Sequence, residues 1–124
     1  MNGLKHGHGK FNLPNGDTYE GDFFNNRQHG SGTYKKLDGT SYEGDWREGK
    51  MHGKGRLVKT NQEIYTGEFE HDHFHGEGIL YYPNEDKFEG KWSNNLKHGR
   101  GELLLSSGIL KFQEWKRGVL ISET

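Results

Sequence analysis

Rings, charges and glycines alternate along this chain. Tyr19-Glu20-Gly21-Asp22-Phe23 runs ring, charge, glycine, charge, ring, and Tyr42-Glu43-Gly44-Asp45-Trp46 repeats the order. A period of two over such a stretch predicts a half-buried β-strand. Gly30-Ser31-Gly32-Thr33-Tyr34 and Gly76-Glu77-Gly78-Ile79-Leu80 read as the partner strands. Two kinds of turn separate them. One is Asn25-Asn26, Glu48-Gly49, His71-Asp72, Asn94-Asn95 and Arg117-Gly118, whose second residue is always Gly, Asn or Asp, the types that tolerate positive φ. The other is Pro14-Asn15-Gly16, Leu37-Asp38-Gly39, Thr60-Asn61-Gln62, Pro83-Asn84-Glu85 and Ser106-Ser107-Gly108. Its glycine versions suit a type I turn closed by a left-handed residue, and Gln62 and Glu85 fit that place less well, so these two turns are expected to differ.

The pattern is periodic on a longer scale. His-Gly recurs at His6, His29, His52, His75 and His98, always 23 residues apart. A fixed period in this range marks a repeat architecture. All 20 glycines fall into columns at this spacing. Gly21, Gly44, Gly67 and Gly90 share one; Gly30, Gly53, Gly76 and Gly99 another; Gly32, Gly55, Gly78 and Gly101 a third. A flexible Gly-rich tail has no such register. The rings are in step too. Tyr19, Tyr42, Tyr65 and Phe88 form one column, and Phe23, Trp46, Phe69, Trp92 and Trp115 the next.

Side-chain parity then tests the loops. If rings and column glycines share a face, a two-residue loop at Asn25-Asn26 pairs Tyr19 with Gly32 and Gly21 with Gly30. A three-residue loop at Leu37–Gly39 pairs Tyr34 with Tyr42 and Gly32 with Gly44. A one-residue change in either loop would set rings against charges. The expectation is an antiparallel meander of about ten strands, in which each Tyr faces a glycine on one side and an aromatic or Leu on the other. The missing Cβ lets the ring lie flat on the neighbouring backbone.

The segments Tyr19–Ser41, Tyr42–Ile64, Tyr65–Lys87 and Phe88–Leu110 each resemble the MORN (membrane occupation and recognition nexus) repeat. Residues 1–18 match the back of a repeat and 111–124 the front of one, as a degenerate cap, so the whole chain reads as one MORN-repeat domain. The chain opens in mid-repeat, as a piece of a longer array would. At the far end Lys111 stands where the Tyr is expected, Gln113 where the Gly is, and Val119-Leu120-Ile121 replace the usual Lys-x-His-Gly run. The fold class expected is all-β, an elongated single-layer antiparallel meander of 23-residue hairpin repeats, twisted into a ribbon or trough.

Composition narrows the function. No alanine is present against 20 glycines, which excludes a helical bundle. No run of 18 apolar residues exists, and the polar start MNGLKHGHGK has no signal-peptide core. The chain has no cysteine, hence no disulfide, thiolate metal site or Cys nucleophile. Lys and Arg total 17 against 18 Asp and Glu, a net charge of −1, too balanced for a general nucleic-acid binder. There is no G-x-S-x-G motif and no P-loop, and acidic pairs such as Glu20/Asp22 recur in several copies where a catalytic pair is one special site. No enzyme is expected, and no cofactor. Histidines in successive repeats stand about 9–10 Å apart, too far to share one ion, and His71-x-His73-x-His75 spans a turn without a third ligand, so no metal site is expected.

What remains is binding. The aromatic face, Tyr19, Phe23, Tyr42, Trp46, Tyr65, Phe69, Phe88, Trp92 and Trp115, is the candidate surface for a partner helix or extended segment. Its rings are also the natural core of a one-layer sheet. The opposite face sets Glu20, Asp22, Glu43, Asp45, Glu68 and Glu89 against Lys10, Lys35, Lys54, Arg56, Lys91 and Arg100; opposite charges can pair across strands there, and a solvated face is the preferred reading. Open sheet edges template pairing, so end-to-end self-association through Val119-Leu120-Ile121, or docking of an edge on a larger complex, is expected. The family resemblance implies a protein-interaction scaffold in a cytoskeletal, ciliary or axonemal assembly, located in the cytoplasm with the cytoskeleton or cilium. The alternative it implies is a peripheral membrane module that binds phosphoinositide or other anionic lipid.

Overall fold

The computed structural model describes residues 7–25 and 27–124. Asn26 and His6 lie outside the described residues. Among those described, eleven strands form one open antiparallel sheet, each paired with its neighbours in sequence. They are β1 (Gly7–Asn12), β2 (Thr18–Phe24), β3 (Arg27–Lys35), β4 (Ser41–Arg47), β5 (Lys50–Val58), β6 (Ile64–Glu70), β7 (His73–Tyr81), β8 (Lys87–Ser93), β9 (Leu96–Leu104), β10 (Leu110–Lys116) and β11 (Val119–Glu123). Ten spacings of about 4.8 Å make a ribbon of about 48 Å.

The three-residue loops have the expected register. Tyr34 opposes Tyr42 and Gly32 opposes Gly44. Lys36 N–H donates to the Thr40 carbonyl, and Gly39 N–H to that of Lys36. The expected difference at Gln62 and Glu85 is absent. Both take the left-handed conformation of their glycine counterparts, with φ of 72° and 74°. The loop geometry is set by the two strands it joins, so the side chain there accepts the strain. At the two-residue loops both positions turn left-handed: Glu48 and Gly49 have φ of 50° and 81°, His71 and Asp72 48° and 70°. These are type I′ turns, whose twist matches that of the strands.

The other register differs from expectation. Tyr19 opposes Tyr34, not Gly32, and Gly21 opposes Gly32, not Gly30. A β-bulge absorbs the two residues, and β4–β5, β6–β7 and β8–β9 carry it as well. The bulge is where the second glycine column sits: φ is 80° at Gly30, 74° at Gly53, 71° at Gly76 and 91° at Gly99. An acidic side chain holds it. Ser31 N–H donates to Asp22 Oδ2, Lys54 N–H to Asp45 Oδ2, and Glu77 N–H to Glu68 Oε2. Asp22, Asp45 and Glu68 are therefore bulge caps, and at the β8–β9 bulge Lys91 stands in that place. Lys10 opposes Glu20, Glu43 opposes Arg56, Lys54 opposes Glu68 and Glu77 opposes Lys91, yet none of the four pairs closes within 4 Å. This face is solvated rather than a ladder of cross-strand ion pairs, because these side chains are exposed and gain little from ordering.

Candidate functional site

The aromatic face is built from the glycines upward. Gly21 opposes Gly32, Gly44 Gly55, Gly67 Gly78, and Gly90 Gly101. Each pair leaves bare backbone on which a ring lies flat; a Cβ at Gly32, Gly55, Gly78 or Gly101 would overlap the ring of Tyr19, Tyr42, Tyr65 or Phe88. The ring reaches across to the bulge. Tyr19 O–H donates to the Asp22 carbonyl, Tyr42 to that of Asp45 and Tyr65 to that of Glu68, at 2.8–2.9 Å. Phe88 keeps the place without the bond. Trp46 Nε1–H donates to the Gly32 carbonyl and Trp92 Nε1–H to that of Gly78.

The second ring column stands edge-on to the first. Phe11, Phe23, Tyr19, Trp46, Tyr42, Phe69, Tyr65, Trp92, Phe88 and Trp115 form a chain of edge-to-face contacts, with centroids 4.4–6.2 Å apart and planes 75–89° apart. Each such contact adds about 0.5–1.5 kcal/mol beyond its buried area. All the sequence-nominated rings thus meet in one ladder, and all but Trp115 are buried, none more than 8% exposed. Burial pushes the tyrosine hydroxyls up, Tyr19 to about 12, with the Asp22 charge adding to it; Tyr42 and Tyr65 rise further.

Solvent meets a second row above the ladder, which the sequence did not nominate. Tyr34, Met51, Leu57, Tyr82 and Leu103 are half-buried against the core. A groove of about 370 Å³ opens among Tyr34, Trp46, Met51 and Leu57, with Lys36 and Asp72 on its rim. One column position faces the space between repeats. It is Met51 at the groove; Phe74 in the next repeat fills the space by stacking on Tyr65 at 3.8 Å. Next comes Lys97, whose Nζ lies 4.3 Å from the Phe88 ring centre and 4.5 Å from that of Trp115, and donates to Tyr82 Oη. Burial lowers the Lys97 pKa against the opposing pull of Glu63. The aromatic face is therefore open at Met51, filled at Phe74 and occupied by a cation at Lys97. The signal was in the sequence: Gln28, Met51, Phe74, Lys97 and Leu120 form a column with no shared chemistry.

The ladder stops where Gln113 replaces the glycine. Gln113 is buried, accepts from Trp115 Nε1–H and donates to Glu123, which also meets Lys111. No group of three His, Asp or Glu able to hold a metal exists among the described residues. His73 bonds Asn95, His75 lies 3.3 Å from Glu70, and His71 packs near His52.

Comparison with known families agrees with this geometry. The MORN repeat model matches residues 1–18, 19–41, 42–63, 65–87 and 88–109. The chain belongs to the MORN-repeat family. MORN repeats are a non-catalytic repeat type that mediates protein or membrane interactions. No curated protein matches this MORN chain. Among the described residues no helix is long and apolar enough to cross a membrane.

Proposed function

We propose that the chain is a non-catalytic scaffold in a cytoskeletal or ciliary assembly, binding a segment of a partner protein along its aromatic face. The groove at Tyr34, Met51 and Leu57 carries this reading, because there the space that Phe74 and Lys97 fill in the next two repeats stays open. The buried ladder gives it a rigid floor, and the half-buried row above supplies the contact. Apolar grooves of this kind take amphipathic helices or extended segments.

The test uses the row, not the ladder. Met51→Arg fills the groove with a charged side chain while leaving the ring ladder in place. Affinity capture with wild-type chain and with this variant, both checked for folding by circular dichroism, should lose the same cytoskeletal proteins with Met51→Arg. Retention of every partner would overturn the reading. Sedimentation with anionic vesicles runs alongside; binding that Met51→Arg leaves intact would move the function to a lipid surface.

Self-association belongs to the edge. Val119, Leu120 and Ile121 of β11 are exposed, and the strand's one charge, Glu123, is taken up by Gln113 and Lys111. Wild-type chain should show a concentration-dependent mass in sedimentation velocity, and Leu120→Lys should hold it at the monomer. An unchanged distribution refutes edge pairing.

A further inference from the structure

The outward face, polar over the first repeats, turns apolar over β5–β10. One row of directly opposed residues crosses the whole sheet there. Val58 opposes Ile64, Ile64 opposes Tyr81, Tyr81 opposes Lys87, Lys87 opposes Leu104, and Leu104 opposes Leu110. The same row over β1–β4 is Asn12, Thr18, Lys35 and Ser41. The row is apolar except at Lys87 of β8, and it lies on the face opposite the ring ladder and takes no part in it. Tyr81 is 40% exposed, Leu104 37% and Leu110 44%. In the next row along the strands Phe112 opposes Glu102 and is 53% exposed. A contiguous patch of this kind marks an interaction surface.

Its charge says what covers it. Beside the patch a groove of about 560 Å³ is lined by Glu77, Glu89, Lys91, Arg100, Glu102, Phe112 and Glu114. Lys91 stands across from Glu77, and Arg100 across from Glu114. Glu89 and Glu102 stand across from each other, a like-charge pair; Lys87 and Lys91 flank Glu89 and Arg100 flanks Glu102 two residues along the same face, but the groove itself sets four glutamates against Lys91 and Arg100 and stays net acidic. Like charges directly opposed destabilise a sheet. A cation placed over them by a partner would relieve this. An anionic bilayer would add to the repulsion, and a second copy brings the same acids.

We propose that the outward face of β5–β10 is a second docking surface, separate from the aromatic face, for an amphipathic protein helix with apolar and cationic side chains. The apolar row spans five strand spacings, about 24 Å. That is the length of about 16 helical residues. Leucine-type side chains would seat between Tyr81, Leu104, Leu110 and Phe112, and Lys or Arg would reach Glu89 and Glu102.

The probe is a fluorescein-labelled 16-residue Leu/Lys amphipathic helix, with a Leu/Glu helix of the same pattern as control. Fluorescence anisotropy should show the Lys peptide binding wild-type chain about tenfold or more tighter than the Glu peptide. Phe112→Ser with Leu104→Ser, and separately Glu102→Lys, should each weaken it about tenfold. These positions are exposed or at the surface, and circular dichroism checks that the variants fold. Met51→Arg, on the other face, should leave binding unchanged. Equal binding of both peptides, or loss only with Met51→Arg, overturns the proposal. So does a concentration-dependent mass that Phe112→Ser abolishes, which assigns the patch to a second copy, or vesicle binding that Phe112→Ser abolishes, which assigns it to lipid.

Discussion

At the residue scale, glycines that look alike in the sequence do three different jobs. Gly55 is floor: a Cβ there would overlap the Tyr42 ring. Gly39 is turn: nothing lies within 4 Å of its missing Cβ, but φ is 98°. Gly55→Ala should therefore cost about 3 kcal/mol by overpacking, against about 1–2 kcal/mol for Gly39→Ala, from left-handed strain alone. Urea unfolding of the two variants checks the order. The converse holds at Gln62 and Glu85, which carry that strain now. Gln62→Gly and Glu85→Gly should each raise stability by about 1 kcal/mol, read in the same assay. The three glycine columns were legible as columns. Which was floor and which was bulge was not, because a column records only that a side chain is missing.

At the element scale, both loops were readable, but the register beyond the two-residue loop was not. Parity detects a slip of one, since that exchanges faces. The bulge shifts β3 against β2 by two, which returns every ring and charge to its own face. No hydrophobic pattern distinguishes the two registers. The hydroxyl was the available clue: Tyr19, Tyr42 and Tyr65 each bond the carbonyl three residues on, at the residue that the bulge leaves out of the ladder. Tyr65→Phe should cost about 1 kcal/mol. Phe88→Tyr should recover a similar amount by bonding the Lys91 carbonyl, and thermal melts of both test the pair. The outward apolar row escaped the sequence reading for another reason. Val58, Ile64, Tyr81, Leu104 and Leu110 sit next to turns, where each reads as the flank of a loop. Only the register lines them up.

At the scale of the whole molecule, stability comes from neighbour contacts repeated along the ribbon. The tyrosines tie that stability to pH. Their hydroxyls ionise later in the folded chain than in the unfolded one, which titrates near 10. Above that pH the unfolded state holds fewer protons, so stability falls as pH rises. The chain should unfold cooperatively between about pH 10 and 12. Absorbance at 295 nm and far-ultraviolet circular dichroism should change together; tyrosinate forming in a folded chain would contradict the burial of the ladder.

The two long borders of the ribbon are fastened differently, and this sets how it bends. Along the type I′ border the four turns from Glu48-Gly49 onward are tied to the strand pair before them: Gly49 N–H to the Gln28 carbonyl, Asp72 to Met51, Asn95 to Phe74 and Gly118 to Lys97. Along the other border a carboxylate ties successive loops, Asp17 to the Leu37 amide and Asp86 to that of Ser106. Between them stand Thr40 and Glu63; the residue Glu63 would tie is Pro83, which has no N–H, and Glu63 turns to Lys59 instead. The molecule is thus a strip with one continuous seam and one seam unpicked in the middle. Under load it should fan open at that gap, about the fastened border, so a partner that curves it meets least resistance around β4–β7.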